Sequence, residues 1–147
     1  MTDIGFGFTV KAFAGEGGVS GSPRIYDSDI VGGLDPDLEQ KIGNLVIIQE
    51  FNSVEPDDNM FGGTLVFDFD TPTDVYSLQL VDTEEKSKVR VFAEGNKDVI
   101  EPAQVSDGEI QDVMIETTKV DKIKIKLSGS GGVGNIKMCI PECGTGL

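Results

Sequence analysis

Short segments in which apolar and polar residues alternate recur along most of the chain, and this pattern restricts the fold more than any other feature. Between residues 120 and 127, apolar and basic residues fall on opposite faces: Ile123, Ile125 and Leu127 against Lys122, Lys124 and Lys126. Strict alternation with a period of two predicts a strand that is buried on one face only. No segment keeps the period of about 3.6 residues that a helix requires, so the sequence predicts an all-β protein.

Turn signals recur about every 8–12 residues and divide the chain into about eight to nine strands. The predicted strands cover residues 4–14, 24–26, 45–48, 64–70, 76–80, 88–93, 111–115, 120–127 and 135–140. We predict an antiparallel β-sandwich of jelly-roll type, in one domain spanning residues 1–147. The residues expected in its core are Leu45–Ile48, Leu65, Phe67, Phe69, Leu78, Leu80, Ile123, Ile125 and Leu127.

Acidic residues are concentrated in one continuous part of the chain. The net charge is −14, and residues 25–85 hold 15 acids and a single base, Lys41, so that this segment accounts for the whole imbalance. Such a charge argues against nucleic acid as a partner and disfavours anionic membranes. No apolar run is long enough for a membrane span, and the N-terminus has no signal-peptide pattern.

Two loops within this acidic segment share a pattern of carboxylates around a proline and a Gly-Gly pair. The first, Tyr26–Glu39, holds five carboxylates and no base; the second runs from Glu55 to Gly63. Dense hard oxygen ligands with glycines that fold the backbone inward are what calcium requires. The EF-hand template fails, because Leu38 falls where its bidentate Glu is needed.

We therefore predict a calcium site shared by the two loops. Its candidate ligands are Asp27, Asp35 and Asp37 from the first loop, Asp57, Asp58 and Asn59 from the second, and Glu50 near by. The alternative is that both loops are simply solvated acidic surface.

Several motifs in this order resemble a group of exported and cell-surface domains with a galactose-binding-like jelly roll, akin to carbohydrate-binding modules that hold structural calcium. The matching stretches are Tyr26–Ser28 with Gly32–Leu38, then Gly43–Glu50, Pro56–Phe69 and Leu127–Ile136. The resemblance implies an extracellular or cell-surface module that binds calcium and a polysaccharide or other surface. Gly134-Asn135 departs from the pattern, since an Asp is expected beside the Asn.

The residues favour a non-catalytic role. Histidine is absent, and no nucleophile motif of the Gly-x-Ser-x-Gly type occurs, so we predict that the chain is not an enzyme. Binding or adhesion is the first hypothesis; a structural or self-assembling matrix subunit with calcium-ordered loops is the alternative. For stacking on a sugar, tryptophan is absent and Phe51 and Phe61 are the loop aromatics. Whether Cys139 and Cys143 form a disulfide stays open.

Overall fold

The computed structural model of the protein describes residues 2–3, 7–15, 21–32, 35–50 and 54–139. These residues form nine antiparallel strands in one hydrogen-bonded sheet. The strands are β1 (Thr2–Asp3), β2 (Phe8–Ala14), β3 (Pro23–Asp27), β4 (Asn44–Ile48), β5 (Gly63–Val81), β6 (Ser87–Ala93), β7 (Asn96–Ile100), β8 (Ile110–Leu127) and β9 (Gly132–Cys139). The described residues contain one short 3₁₀ helix, Pro36–Leu38, and no helix that could span a membrane.

The sheet folds into two layers because β5 and β8 are long enough to belong to both. In the first layer, residues 63–68 of β5 and 122–127 of β8 pair with each other and with β2 and β6. In the second layer, residues 74–81 of β5 lie between β9 and residues 110–117 of β8, and β4 and β3 follow β9. Side chains from both layers meet in one buried cluster, so the predicted all-β antiparallel sandwich is confirmed.

The residues expected in the core are all buried, from Leu45 to Leu127. The run Leu45–Ile48 is buried on both faces: Val46 and Ile48 face the main core between the layers. Leu45 and Ile47 belong to a second cluster, together with Tyr26, Leu38 and Val81. This second cluster matters for the site, because Tyr26 and Leu38 come from the first acidic loop.

Two predicted chain breaks are wrong. Residues 64–70 and 76–80 belong to the single strand β5, and 111–115 and 120–127 to the single strand β8. The supposed turn Thr71–Asp74 is a bend inside β5, where the pairing with β8 shifts register. Such irregularities bend a strand while it stays in the ladder, which lets it pass from one layer to the other.

Sequence patterning missed β7, whose residues Asn96–Val99 are all exposed. The predicted tight turn before it is present, since Glu94 and Gly95 both have positive φ, at 50° and 78°, as the two-residue hairpin turn requires. Of the first and last predicted strands, residues 4–6 and 140 lie outside the described residues. Cys143 also lies outside the described residues.

Candidate metal centre

The first acidic loop packs over the outer face of the second layer. Leu38, in the 3₁₀ helix, is completely buried against Leu45 and Ile47. The Tyr26 hydroxyl donates a 2.8 Å hydrogen bond to the backbone oxygen of Asp35. An apolar anchor and a buried hydroxyl therefore fix the backbone on both sides of the Asp35 and Asp37 carboxylates.

The second acidic loop is held against the end of β4 by backbone hydrogen bonds. The Glu50 N–H donates to the Asp57 oxygen at 2.8 Å, and the Asn59 N–H donates to the Ile48 oxygen at 2.9 Å. This pairing turns Asp58 inward, where it is only 4% exposed. Its Oδ2 accepts a hydrogen bond from the N–H of Gly131, in the glycine-serine loop before β9.

A third group of acids completes the centre, and none of its members is among the ligands predicted from the sequence. Asp82 follows β5 with a positive φ of 58° and is 2% exposed. Its Oδ1 accepts a 2.7 Å hydrogen bond from the N–H of Gly108, at the far end of the loop that follows β7. This contact places Asp107 beside Asp82 and Glu84. Nothing in the local sequence around Asp82, Glu84 and Asp107 indicates that these acids meet.

Carboxylates from these segments form three overlapping groups in which one oxygen from each member lies within 4.8 Å of the others. The groups are Asp35, Asp57 and Asp58; Asp35, Asp37 and Asp82; and Asp82, Glu84 and Asp107. None of these seven carboxylates makes an ion pair with a base in the described part of the chain. Two oxygens on opposite sides of a calcium ion are about 4.6–5.2 Å apart, since each bond is about 2.3–2.6 Å long. The acidic groups are thus compact enough to hold a metal ion.

Four of these carboxyl groups have raised pKa values, because their charged forms are unfavourable in the absence of a cation. Burial, then a hydrogen bond to Asp35 and its charge, raise the pKa of Asp58 to about 9, against the opposing effect of the Gly131 N–H. Burial is also the main reason that the pKa of Asp82 rises to about 7, with Asp107 and Glu84 adding to it. The pKa values of Asp37 and Asp57 are raised too, by burial and neighbouring acids.

Of the seven candidate ligands from the sequence, the structure brings four together: Asp35, Asp37, Asp57 and Asp58. Asp27 is exposed, and its Oδ1 accepts the N–H of Asp29. Asn59 is buried but uses its Oδ1 to accept the N–H of Phe61. Glu50 lies near Asp57 and raises its pKa without joining a group. The structure therefore places three of the predicted ligands outside the three acidic groups: Asp27, Asn59 and Glu50.

No protein-family model matches the chain, and no curated protein matches it. Three solved structures similar in fold are GH31 CBM32-2 bound to GalNAc, TmCBM61 with β-1,4-galactotriose, and the family 32 module of C. perfringens NanJ with galactose. Their identities are 14%, 12% and 14%, and their TM-scores 0.49, 0.47 and 0.46. In the same order, the matched regions cover 90%, 90% and 88% of this chain and 97%, 87% and 88% of the other chain.

The likeness to these structures concerns the fold alone. The β-sandwich itself is seen directly in the strand pairing.

Proposed function

We propose that this chain is a single-domain, non-catalytic β-sandwich module that binds calcium and acts outside the cell, on a polysaccharide or another surface. The observation that supports it most is the convergence of seven carboxylates from four separate segments, none of which pairs with a base among the described residues. Like charges at this density need a cation or protons to offset their repulsion. The proposed ligands are Asp35, Asp37, Asp57 and Asp58, with Asp82, Glu84 and Asp107.

Calcium fits this set better than other common ions. All the side-chain donors are hard oxygens, which excludes the thiolate and imidazole chemistry that zinc prefers. Calcium accepts six to eight oxygens in flexible geometry, and the irregular loop backbone can supply carbonyls beside the carboxylates. Magnesium demands near-octahedral geometry with metal–oxygen bonds of about 2.0–2.1 Å, and ligands from several separate segments satisfy this requirement less readily.

Calcium would act here by stabilising the folded state. The centre exists only when the two acidic loops, the end of β5 and the loop after β7 are in place, so the ion binds the folded chain and not the unfolded one. Such binding stabilises by RT ln(1 + [L]/Kd), about 2.7 kcal/mol at a hundredfold excess over Kd. When calcium is bound, these acids serve as metal ligands and are not available as the positioned base or nucleophile that an enzyme needs.

Thermal unfolding of chelator-treated protein tests the proposal directly. Calcium should raise the melting temperature in a saturable manner, chelator should reverse the rise, and magnesium at the same concentration should have a much smaller effect. Titration calorimetry should show binding over the same concentration range. A melting curve that calcium leaves unmoved, with no heat of binding, would mean that the acidic loops are solvated surface.

Polysaccharide binding and an extracellular location are supported by the motif resemblance, and the aromatic side chains limit the mode of binding. Tyr26 is buried and hydrogen-bonded to Asp35, whereas Phe61 is 46% exposed; Phe51 lies outside the described residues. Phe13, in β2, is 57% exposed, so Phe13 and Phe61 are the exposed phenylalanines in the described part of the chain. The alternative, a self-assembling matrix subunit, predicts growth in particle size on adding calcium, which sedimentation velocity measures.

A further inference from the structure

The outer face of the first layer is strongly basic, although the protein is acidic overall. Cross-strand partners in antiparallel sheets point to the same side, so the register places seven of the twelve basic residues on this face. They are Lys11, Lys88, Arg90, Lys97, Lys122, Lys124 and Lys126. Asp68 contacts Lys11 and Lys122, and Glu101 contacts Lys88. We call this surface the basic face.

The strand register places like charges opposite each other on the basic face, which is electrostatically unfavourable. Lys88 lies directly opposite Lys126, and Arg90 directly opposite Lys124. Like charges in opposed positions destabilise a sheet. No described acid forms an ion pair with Arg90, Lys124 or Lys126. A bound anion would offset this repulsion.

One part of the basic face is a groove rather than a flat surface. It has a volume of about 540 Å³ and lies between β6, the end of β8 and residues 101–104. Its charged lining consists of Lys86, Lys88, Arg90 and Lys126, with Glu101 as the single acid. Small-molecule sites have volumes of about 300–1,000 Å³, so the groove is the size of a site for one or two sugar rings.

The alternation of β6 places Lys88 and Arg90 on the groove side of the sheet and turns the Ser87 side chain to the core side, opposite Leu127. The opposite wall is fixed, since Gln104 donates a 2.9 Å hydrogen bond to the Glu84 oxygen and Lys88 contacts Glu101 at 3.3 Å.

We propose that this groove binds a negatively charged sugar of an acidic polysaccharide, through a carboxylate or sulfate held by Arg90, Lys126 and Lys86. The inference rests on the proposed polysaccharide binding and names its substrate class and place. The Phe92 ring on this face lies under the Lys124 ammonium, which is 5.5 Å from the ring centroid, so Phe92 is not free to stack on a sugar.

Calorimetry with defined oligosaccharides tests the groove. The probe is an unsulfated chondroitin tetrasaccharide, which carries glucuronate carboxylates, and its control is the same compound with those carboxyls reduced to alcohols. The charged form should bind, with an affinity that falls as salt rises, and the reduced form should not. A sulfated chondroitin tetrasaccharide that binds more tightly would identify sulfate, and equal or weaker binding would identify the carboxylate. Equal binding of the reduced form would overturn the proposal.

Matched variants locate the site. Arg90→Gln and Lys126→Gln should each weaken binding about tenfold, the scale of losing one charged hydrogen bond. Lys97→Gln removes the same charge from the same face outside the groove and should change the affinity by less than about twofold.

Two results would refute the groove. These are an effect of Lys97→Gln as large as that of Arg90→Gln, and tighter binding of a single-stranded oligonucleotide of equal charge. Each titration is run with calcium and with chelator. Loss of sugar binding with an intact calcium response would overturn only this inference, and loss of the calcium response with intact sugar binding would overturn only the metal centre.

Discussion

Replacement of Asp58 by asparagine separates a metal ligand from a structural acid, because the two roles predict opposite changes in stability. Asn has nearly the shape of a protonated Asp. Its Oδ1 can still accept the Gly131 N–H, and its amide can donate to Asp35. The variant therefore keeps the neutral form of the local hydrogen bonds and removes the carboxylate.

The magnitude follows from the raised pKa of Asp58. The folded pKa is about 9, so in the metal-free protein at neutral pH this group keeps its proton, whereas the unfolded chain releases it. Holding a proton about three pH units above the unfolded value of about 3.9 costs on the order of 4 kcal/mol. We expect Asp58→Asn to raise the unfolding free energy of chelator-treated protein by up to this amount, and to remove most of the calcium response.

Urea denaturation followed by far-ultraviolet circular dichroism measures both quantities, since urea leaves the ionic strength unchanged. Wild type should be the less stable protein in chelator and should gain about 2.7 kcal/mol at a hundredfold excess of calcium over Kd, whereas the variant should gain little. Asp27→Asn is the matched control in the first acidic loop, since its carboxylate is exposed and outside the three groups; it should behave as wild type. A variant less stable than wild type in chelator, or one that keeps the calcium response, would refute the reasoning.

Three further predictions concern the same centre. In chelator, the unfolding free energy should fall as pH rises from about 4 to about 9, because the raised pKa of Asp58 means that the folded state binds more protons over that range; a rise over that range in urea midpoints would contradict this. Leu38→Ala should cost about 2–5 kcal/mol and weaken calcium binding, since Leu38 is fully buried and anchors the loop of Asp35; an unchanged urea midpoint would show that the loop is not anchored there. Gly131→Ala should destabilise the protein and lower its calcium affinity in calorimetry, because Gly131 has a φ of 139° and its added Cβ would lie 3.0 Å from the Val81 oxygen; wild-type behaviour would exclude a role for this backbone.

Much of the fold follows from local pattern. The alternation of Leu65, Phe67 and Phe69, and of Ile123, Ile125 and Leu127, specifies which face of each strand is buried, and these side chains are buried as expected. Local pattern fails where a strand bends. Thr71–Asp74 has the composition of a turn, and only pairing with β8 and β9 keeps it within one strand.

The sequence by itself determined that the chain is an antiparallel β-sandwich and that two dense acidic loops need a cation or solvent, because both properties depend on neighbouring residues. Tertiary structure alone decided which acids meet. Asp82, Glu84 and Asp107 join the centre through the Gly108 N–H, while Asp27 stays outside it. The basic face arose in the same way: lysines that look balanced by acids along the chain are separated from them by strand register. Charge interactions act through space, so their pattern becomes visible only when the strands are paired.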